Sequence, residues 1–164
     1  MNLIVAVDQN WAIGKGGNQL VYLSEDLKRF KKLTLGHSVI LGSKTLSTFP
    51  KGRPLKERQN LILSRKLEFV PDGAKIFRDI DDLLSFAPPD SFVVGGASVY
   101  AALLSKCDTA YVTKISASFP NADRWFPNLD LSSEWAVFEE SSEMEEHGVK
   151  FQYVTYKRYS NEMR

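Results

Sequence analysis

Cysteine is almost missing from this chain of 164 residues. Cys107, set between Lys106 and Asp108, is the only thiol, which excludes an internal disulfide, a zinc ribbon and a dithiol redox motif and predicts a reducing, cytoplasmic compartment. Histidine is nearly as scarce. His37 and His147 stand far apart and outside any HExxH pattern, so no metal centre is expected. No apolar run approaches the roughly 18 residues of a membrane span, and no basic stretch precedes the first apolar one, so neither insertion nor secretion is predicted. An excess of one charge is lacking too. Lys plus Arg number 21 against 20 Asp plus Glu, a net +1 that offers no field for recruiting nucleic acid or anionic lipid. Ten glycines and seven prolines exclude collagen-like and low-complexity classes. The GxGxxG fingerprint, the GxxxxGK[ST] loop and the GxSxG elbow are all missing, so a nucleotide or an acyl group would have to be handled by another geometry.

What is present is a sequence 43% hydrophobic and 25% charged, without repeat or linker, that predicts one domain over residues 1–164. Leu3 to Val7 is a continuous apolar run and reads as a strand buried on both faces. Ser38 to Leu41, Asn60 to Leu63 and Ser91 to Val94 read the same way, each ending in glycine or Ser-Arg. Asp79 reads as the N-cap of a helix through Phe86, stopped by Pro88-Pro89, and Ala97 to Leu104 as a further helix. After about residue 108 the rhythm changes. Ala110 to Ile115, Trp135 to Glu139 and Val149 to Tyr156 alternate β-branched and aromatic residues, giving an antiparallel finish to a mostly parallel α/β sheet.

Two features carry chemistry. Leu23 to Leu33 predicts a helix with Ser24 as N-cap and acidic residues in its first turn. Leu23, Leu27, Phe30 and Leu33 share one face at about 100° per residue, and Asp26 falls on that apolar face. An aspartate there either complements the helix dipole with its head in water or is desolvated, with a raised pKa, facing a planar amide-edged or cationic ligand. Periodicity leaves both readings open. The second feature is a set of strand ends. Gly95-Gly96-Ala97-Ser98, Gly42-Ser43-Lys44-Thr45 and Leu63-Ser64-Arg65-Lys66 put glycines, hydroxyls and cations where buried strands stop, the crevice in which open α/β sheets hold nucleotides. Three such ends suggest a dinucleotide, and the glycine-rich stretch Asn10 to Gln19 would let a backbone lie close to it.

Taken in order, Ile4-Val5-Ala6-Val7, Asn10-Trp11-Ala12-Ile13-Gly14-Lys15, Glu25-Asp26-Leu27-Lys28-Arg29-Phe30, Gly42-Ser43-Lys44-Thr45, Gly52-Arg53-Pro54-Leu55 and Arg58 to Arg65 form one series. Val94 to Tyr100, Tyr111-Val112-Thr113 and Asp123 to Pro127 complete it. In this series the chain resembles the dihydrofolate reductases, from Leu3 to about Tyr156. The resemblance implies a central mixed, mostly parallel, eight-stranded sheet flanked by about four helices, with an antiparallel C-terminal edge strand. It implies a monomer that transfers hydride from NADPH to 7,8-dihydrofolate and binds neither nucleic acid nor membrane. Asp26 would be the catalytic carboxylate, holding the 2-amino and N3 edge of the pterin, with Thr113 as its brace. Ile4, Val5, Leu27, Phe30, Phe49 and Leu55 would be apolar walls, Val94 and Tyr100 would complete the substrate pocket, and Arg58 would pair with the glutamate tail. For the cofactor, the resemblance implies Ala6, Ile13 and Gly14 at the nicotinamide and Gly42, Lys44 and Thr45 at the pyrophosphate. It further implies Leu63, Ser64 and Arg65 around the adenosine 2′-phosphate and Gly95, Gly96, Ala97, Ser98 and Val99 along the cofactor, the two glycines joined by a cis peptide.

Four positions depart from the family pattern. Val21 replaces an aromatic beside the proton path and Ser24 a common proline. Ser43 replaces an arginine of the 2′-phosphate site, leaving Arg65, Lys66 or Lys44 to supply charge. Glu57 replaces a glycine before Arg58 and could draw that guanidinium from the substrate tail. Rival readings are a reductase of another pterin or of a deaza-nucleotide, which should not need both Arg58 and the Leu27/Phe30 wall, and a non-enzymatic binding homologue, against which Asp26 and Thr113 stand.

Overall fold

The computed structural model describes residues 1–65 and 72–159. Its frame is a twisted mixed sheet. In chain order the strands are β1 (Asn2–Val7), β2 (Ala12–Gly14), β3 (Ser38–Gly42), β4 (Gln59–Leu63), β5 (Ala74–Phe77) and β6 (Phe92–Gly95). They continue with β7 (Thr109–Ile115), β8 (Arg124–Trp125), β9 (Trp135–Glu140), β10 (Met144–Glu146) and β11 (Val149–Arg158). The helices are α1 (Ser24–Thr34), α2 (Ser43–Thr48), α3 (Ile80–Phe86) and α4 (Ala97–Leu103). The strand order is β10-β11-β7-β1-β6-β3-β4-β5, with β9 also paired to β11. β10 pairs Val149 to Phe151 and β9 pairs Val154 to Arg158, so the two short strands share one edge position. From β7 to β5 all pairs are parallel; β11 runs antiparallel to β7, and β9 and β10 antiparallel to β11. This is the eight-position mixed sheet, four helices and antiparallel C-terminal edge that the resemblance implied.

The doubly buried reading of β1 follows from side-chain alternation. Leu3, Val5 and Val7 pack with Ile40, Leu61 and Val93 of neighbouring strands and with Leu83, Val99 and Leu103 of α3 and α4. Ile4 points the other way and packs with Val39, Leu41, Leu46, Ile62 and Phe92 beneath Phe30 and Leu33 of α1. Each aliphatic side chain fully withdrawn from water contributes about 1.5–3 kcal/mol, so these two layers hold both helix pairs against the sheet. Asp79 caps α3 as expected, accepting from the N–H groups of Asp81 and Asp82.

Some elements escaped the sequence reading for identifiable reasons. Strands β2 and β8, of three and two residues, are too short to display a period, and β2 lies within the stretch expected to be loop. Helix α2 is built from Ser-Lys-Thr-Leu-Ser-Thr, in which four hydroxyl residues are weak helix formers and only one residue is apolar. Its hydroxyls turn back on the helix, Ser47 Oγ to the Lys44 carbonyl and Thr48 Oγ1 to the Thr45 carbonyl, at 2.5 and 2.7 Å. Lys66 lies outside the described residues.

Between α1 and β4 the chain turns at Glu57, whose φ of 58° is left-handed, a conformation that costs a non-glycine residue about 1–2 kcal/mol. The turn is fixed because the Glu57 carbonyl accepts from the Gly36 N–H at 3.0 Å. Relief of strain outweighs the extra unfolded-state entropy of glycine here. Glu57→Gly is expected to raise the free energy of unfolding by about 1 kcal/mol in urea titration; a loss of stability would contradict strain at this turn.

Candidate active site

The N-terminal half of α1 is positioned from a distance. Ser24, expected as N-cap, is instead the first helical residue; the cap position is Leu23, extended at φ −124° and without a side-chain bond. The orphan donors of this end are taken by Glu146 on β10. Its carboxylate accepts from the Ser24 N–H at 2.7 Å, the Ser24 hydroxyl at 2.9 Å and the Glu25 N–H at 3.0 Å. These bonds hold the Glu146 carboxyl below the usual carboxylate range. Sequence signals for capping are local, and a cap supplied 122 residues away leaves none.

Asp26 follows in the first turn and faces the sheet. The Thr113 hydroxyl, buried in β7, donates to its Oδ1 at 2.5 Å, as the resemblance implied. Burial raises the Asp26 pKa above the ordinary value, while the Thr113 bond and the Arg29 charge lower it and Glu146 adds to the rise. A hydrogen bond to a charged group contributes about 1.5–3 kcal/mol, whereas desolvating a carboxylate costs several, so the rise prevails. Of the two readings open for Asp26, partial burial and the raised pKa favour the desolvated one over a carboxylate with its head in water.

The apolar wall gathers on the same face of the sheet. Ile4, Phe30, Phe49, Leu55 and Val94 belong to one packed cluster, and Leu27 on α1 is half-buried. Val5 does not join them as a wall. Its side chain packs with Leu3 and Val7 on the opposite face, because alternation separates it from Ile4; only its backbone can reach the pocket. Tyr100 also lies behind the sheet, donating its hydroxyl to the Ile4 carbonyl at 2.6 Å, with burial forcing its pKa upward. Arg58 is braced, Nε to the Lys56 carbonyl at 2.8 Å and Nη1 to the Thr34 hydroxyl at 3.3 Å. Among the described residues no ion pair joins it to Glu57.

The strand ends of β3, β4 and β6 open on the adjoining crevice. Ser43, Lys44, Leu46, Ser47, Ile62, Ser64 and Ile76 line one cavity there, and Arg65 at the end of β4 is exposed. Gly95 and Gly96 are joined by a cis peptide, and Gly95 has a φ of 128° that disfavours any side chain, while Gly96 is short of space. A Cβ on Gly96 would come within 3.3 Å of Thr45 Oγ1, one on Gly95 within 3.5 Å of the Tyr100 ring, and one on Gly42 within 3.3 Å of Val99 Cγ2. Bare backbone N–H groups beside hydroxyls and cations suit a phosphate-bearing ligand lying along the sheet.

A loop closes the far side. Gly14 is buried, and its carbonyl accepts from the Asp123 N–H at 2.9 Å while Asp123 Oδ2 accepts from the Gly16 N–H at 2.9 Å. With the β2–β8 ribbon these bonds fix the glycine-rich segment beside Ala6. The sequence reading placed that segment next to a ligand but missed Asp123 as its anchor, because the bond spans 107 residues.

The sequence profile of the dihydrofolate reductases matches residues 1–158. The chain belongs to the dihydrofolate reductase family. The dihydrofolate reductase of Bacillus subtilis is 33% identical over 162 residues, covering 96% of this chain and 94% of that protein. That of Sus scrofa is 34% identical over 182 residues, covering 96% and 97%. A solved dihydrofolate reductase from Enterococcus faecalis, complexed with NADP(H) and RAB-propyl, superimposes with a TM-score of 0.82 at 28% identity over 97% of this chain and 96% of that one. The activity is the NADPH-dependent reduction of 7,8-dihydrofolate to 5,6,7,8-tetrahydrofolate by hydride transfer, a supply step for one-carbon metabolism and thymidylate synthesis. Among the described residues no helix is long and apolar enough to cross a membrane.

Placing an ionisable group in this dihydrofolate reductase pocket has a stability consequence. A carboxyl whose pKa is raised by folding binds its proton more tightly in the folded state, so stability is fully present below the unfolded pKa and falls as pH rises through the folded one. Asp26→Asn keeps an oxygen for Thr113 and removes the buried charge. The variant is expected to unfold at higher temperature than the parent at pH 7, with the difference vanishing toward pH 3; a lower Tm at pH 7 would contradict it.

Proposed function

We propose that Asp26 is the catalytic carboxylate of this reductase, and the observation that carries the assignment is its burial on α1 with Thr113 bonded at 2.5 Å. In the ionised form it accepts from the 2-amino and N3 edge of the pterin, compensating donors that an apolar pocket would otherwise leave unpaired. The half-buried and buried side chains of Ile4, Leu27, Phe30, Phe49, Leu55 and Val94 then exclude bulk water and hold the ring flat, while Val5 contributes backbone. Tyr100 acts from behind, fixing the Ile4 carbonyl. Arg58, set in place by Thr34 and Lys56, pairs with the glutamate carboxylate. Protonation of N5 comes through solvent.

The strand-end crevice suits NADPH, which when bound supplies the hydride. Gly42, Gly95 and Gly96 give close backbone approach, followed by Ala97, Ser98 and Val99 at the start of α4. Lys44 and Thr45 lie toward the pyrophosphate, Leu63, Ser64 and Arg65 toward the 2′-phosphate, and Ala6, Ile13 and Gly14 toward the nicotinamide. The balanced charge offers no field for nucleic acid and the lone buried thiol fits a reducing cytoplasm; a monomer without nucleic-acid partners is the expected form, tested by size exclusion and a nucleic-acid retention assay.

Asp26→Asn is expected to lower turnover at pH 7 by more than tenfold and to recover activity as the pH falls, because solvent then protonates the substrate directly. Oxidation of NADPH with and without dihydrofolate checks this; an Asn variant as active as the parent at pH 7 would refute the role. Ser43 lines the same cavity as Ser64, so Ser43→Arg is expected to lower the KM for NADPH severalfold and leave that for NADH nearly unchanged. Equal effects on both would place residue 43 away from the 2′-phosphate.

A further inference from the structure

A second ionisable side chain of α1, one turn beyond Asp26, is drawn inward over the sheet. Arg29 follows Asp26 by three positions, on the adjoining turn of the same helix. Its guanidinium carbon lies 3.9 Å from the centroid of the Tyr153 ring and 5.9 Å from that of Tyr111, both within the range in which a cation is held by aromatic faces. The sheet register shows what that placement means. Tyr153 of β11 is the cross-strand partner of Thr113, the residue bonded to Asp26, and Tyr111 lies two residues before Thr113 on the same face of β7. The guanidinium therefore sits over the strand pair that braces the carboxylate. Its Nη1 is buried without a hydrogen-bond partner, so no bond at that nitrogen draws the charge away from the carboxylate.

We propose that Arg29 is a positioning residue for Asp26, an aromatic-held cation that keeps the carboxylate in its charged, Thr113-bonded state when the pocket is empty. The inference rests on the assignment of Asp26 to substrate recognition. Salt screens surface charges over about 8–10 Å, but both groups are partly buried against the sheet, where a single charge has a larger effect. Other titratable groups act on the site and are too few or of the wrong sign to replace it. Glu146, at the start of α1, repels the ionised form. Tyr100 and Tyr153 both feel the Asp26 charge but are themselves kept protonated by burial. Glu139 on β9 is exposed and its charge favours the charged form of Arg29. Lys28 is exposed and engaged with Glu25 at 3.4 Å. Arg29 is the cation that favours ionised Asp26.

The test is the titration of the Asp26 carboxyl, followed by carbon NMR in the enzyme without ligands, where the readout does not depend on turnover. Arg29→Met is expected to move the midpoint up by about one pH unit or more. Arg29→Gln, uncharged but polar, is expected to do the same and serves if methionine is not accommodated. Arg29→Lys, which keeps the charge, should stay close to the parent, and Lys28→Met should leave the midpoint in place. The pH profile of kcat/KM should shift in the direction of the NMR midpoint. An unmoved midpoint in a folded neutral variant, or equal shifts for Arg29→Met and Arg29→Lys, would overturn the proposal. If instead Asp26→Asn proves fully active while the midpoint still moves, the catalytic assignment fails and the electrostatic coupling stands.

Discussion

A carboxylate taken out of water has to be compensated from several directions at once, and the placement of Asp26 imposes that requirement on distant parts of the chain. Its helix must dock on the sheet, which Phe30 and Leu33 achieve by packing into the layer above Ile4 and Val39. Thr113 must stand opposite it, which fixes the register of β7 against β1. The exposed end of the helix must also be held, and Glu146 does so from β10. These contacts join the first turn of α1 to Thr113 and Glu146, far along the chain. Even so, burial outweighs the single hydrogen bond, and the pKa remains raised.

The cofactor side obeys a different constraint, which is space rather than charge. Parallel strands buried on both faces must end somewhere, and their free backbone groups collect along one rim. At Gly42 and Gly96 a side chain would press on Val99 or Thr45, and at Gly95 the φ of 128° excludes one. A dinucleotide can thus lie against backbone where the chain offers no GxGxxG turn. Loop and sheet meet here, because Asp123 ties the glycine-rich segment down through Gly14 and Gly16.

How much of this was legible depended on the range of the interaction involved. The buried strands, α3 with its Asp79 cap, and the apolar face of α1 each leave a signal within ten or so residues, and each lies where periodicity put it. Family motifs brought Asp26 and Thr113 together before any coordinates did. Ser24 was misread as a cap because the sequence shows a serine in the right place but not the carboxylate of Glu146 that makes a side-chain cap unnecessary. Val5 was placed in the wall beside Ile4 although adjacent strand residues face opposite ways. Glu57 reads in the sequence as a departure from glycine that could disturb Arg58; the left-handed φ of 58° shows why glycine suits that position.

By itself the sequence determined the elements and the layers, since the period of apolar residues decides which face of a strand or helix leaves water. It also determined the chemical inventory: a carboxylate on an apolar face, hydroxyls and cations at strand ends, and no metal-binding or disulfide motif. Tertiary structure alone decided the electrostatics. Whether Asp26 is solvated or buried, whether Arg29 points to water or rests on Tyr153, and whether Glu146 is a surface acid or a helix cap are questions of distance between residues remote in the chain. Charge interactions and hydrogen bonds depend on separations of a few ångströms and on the medium between the groups, and neither quantity exists until the sheet has brought β7, β10 and β11 against α1.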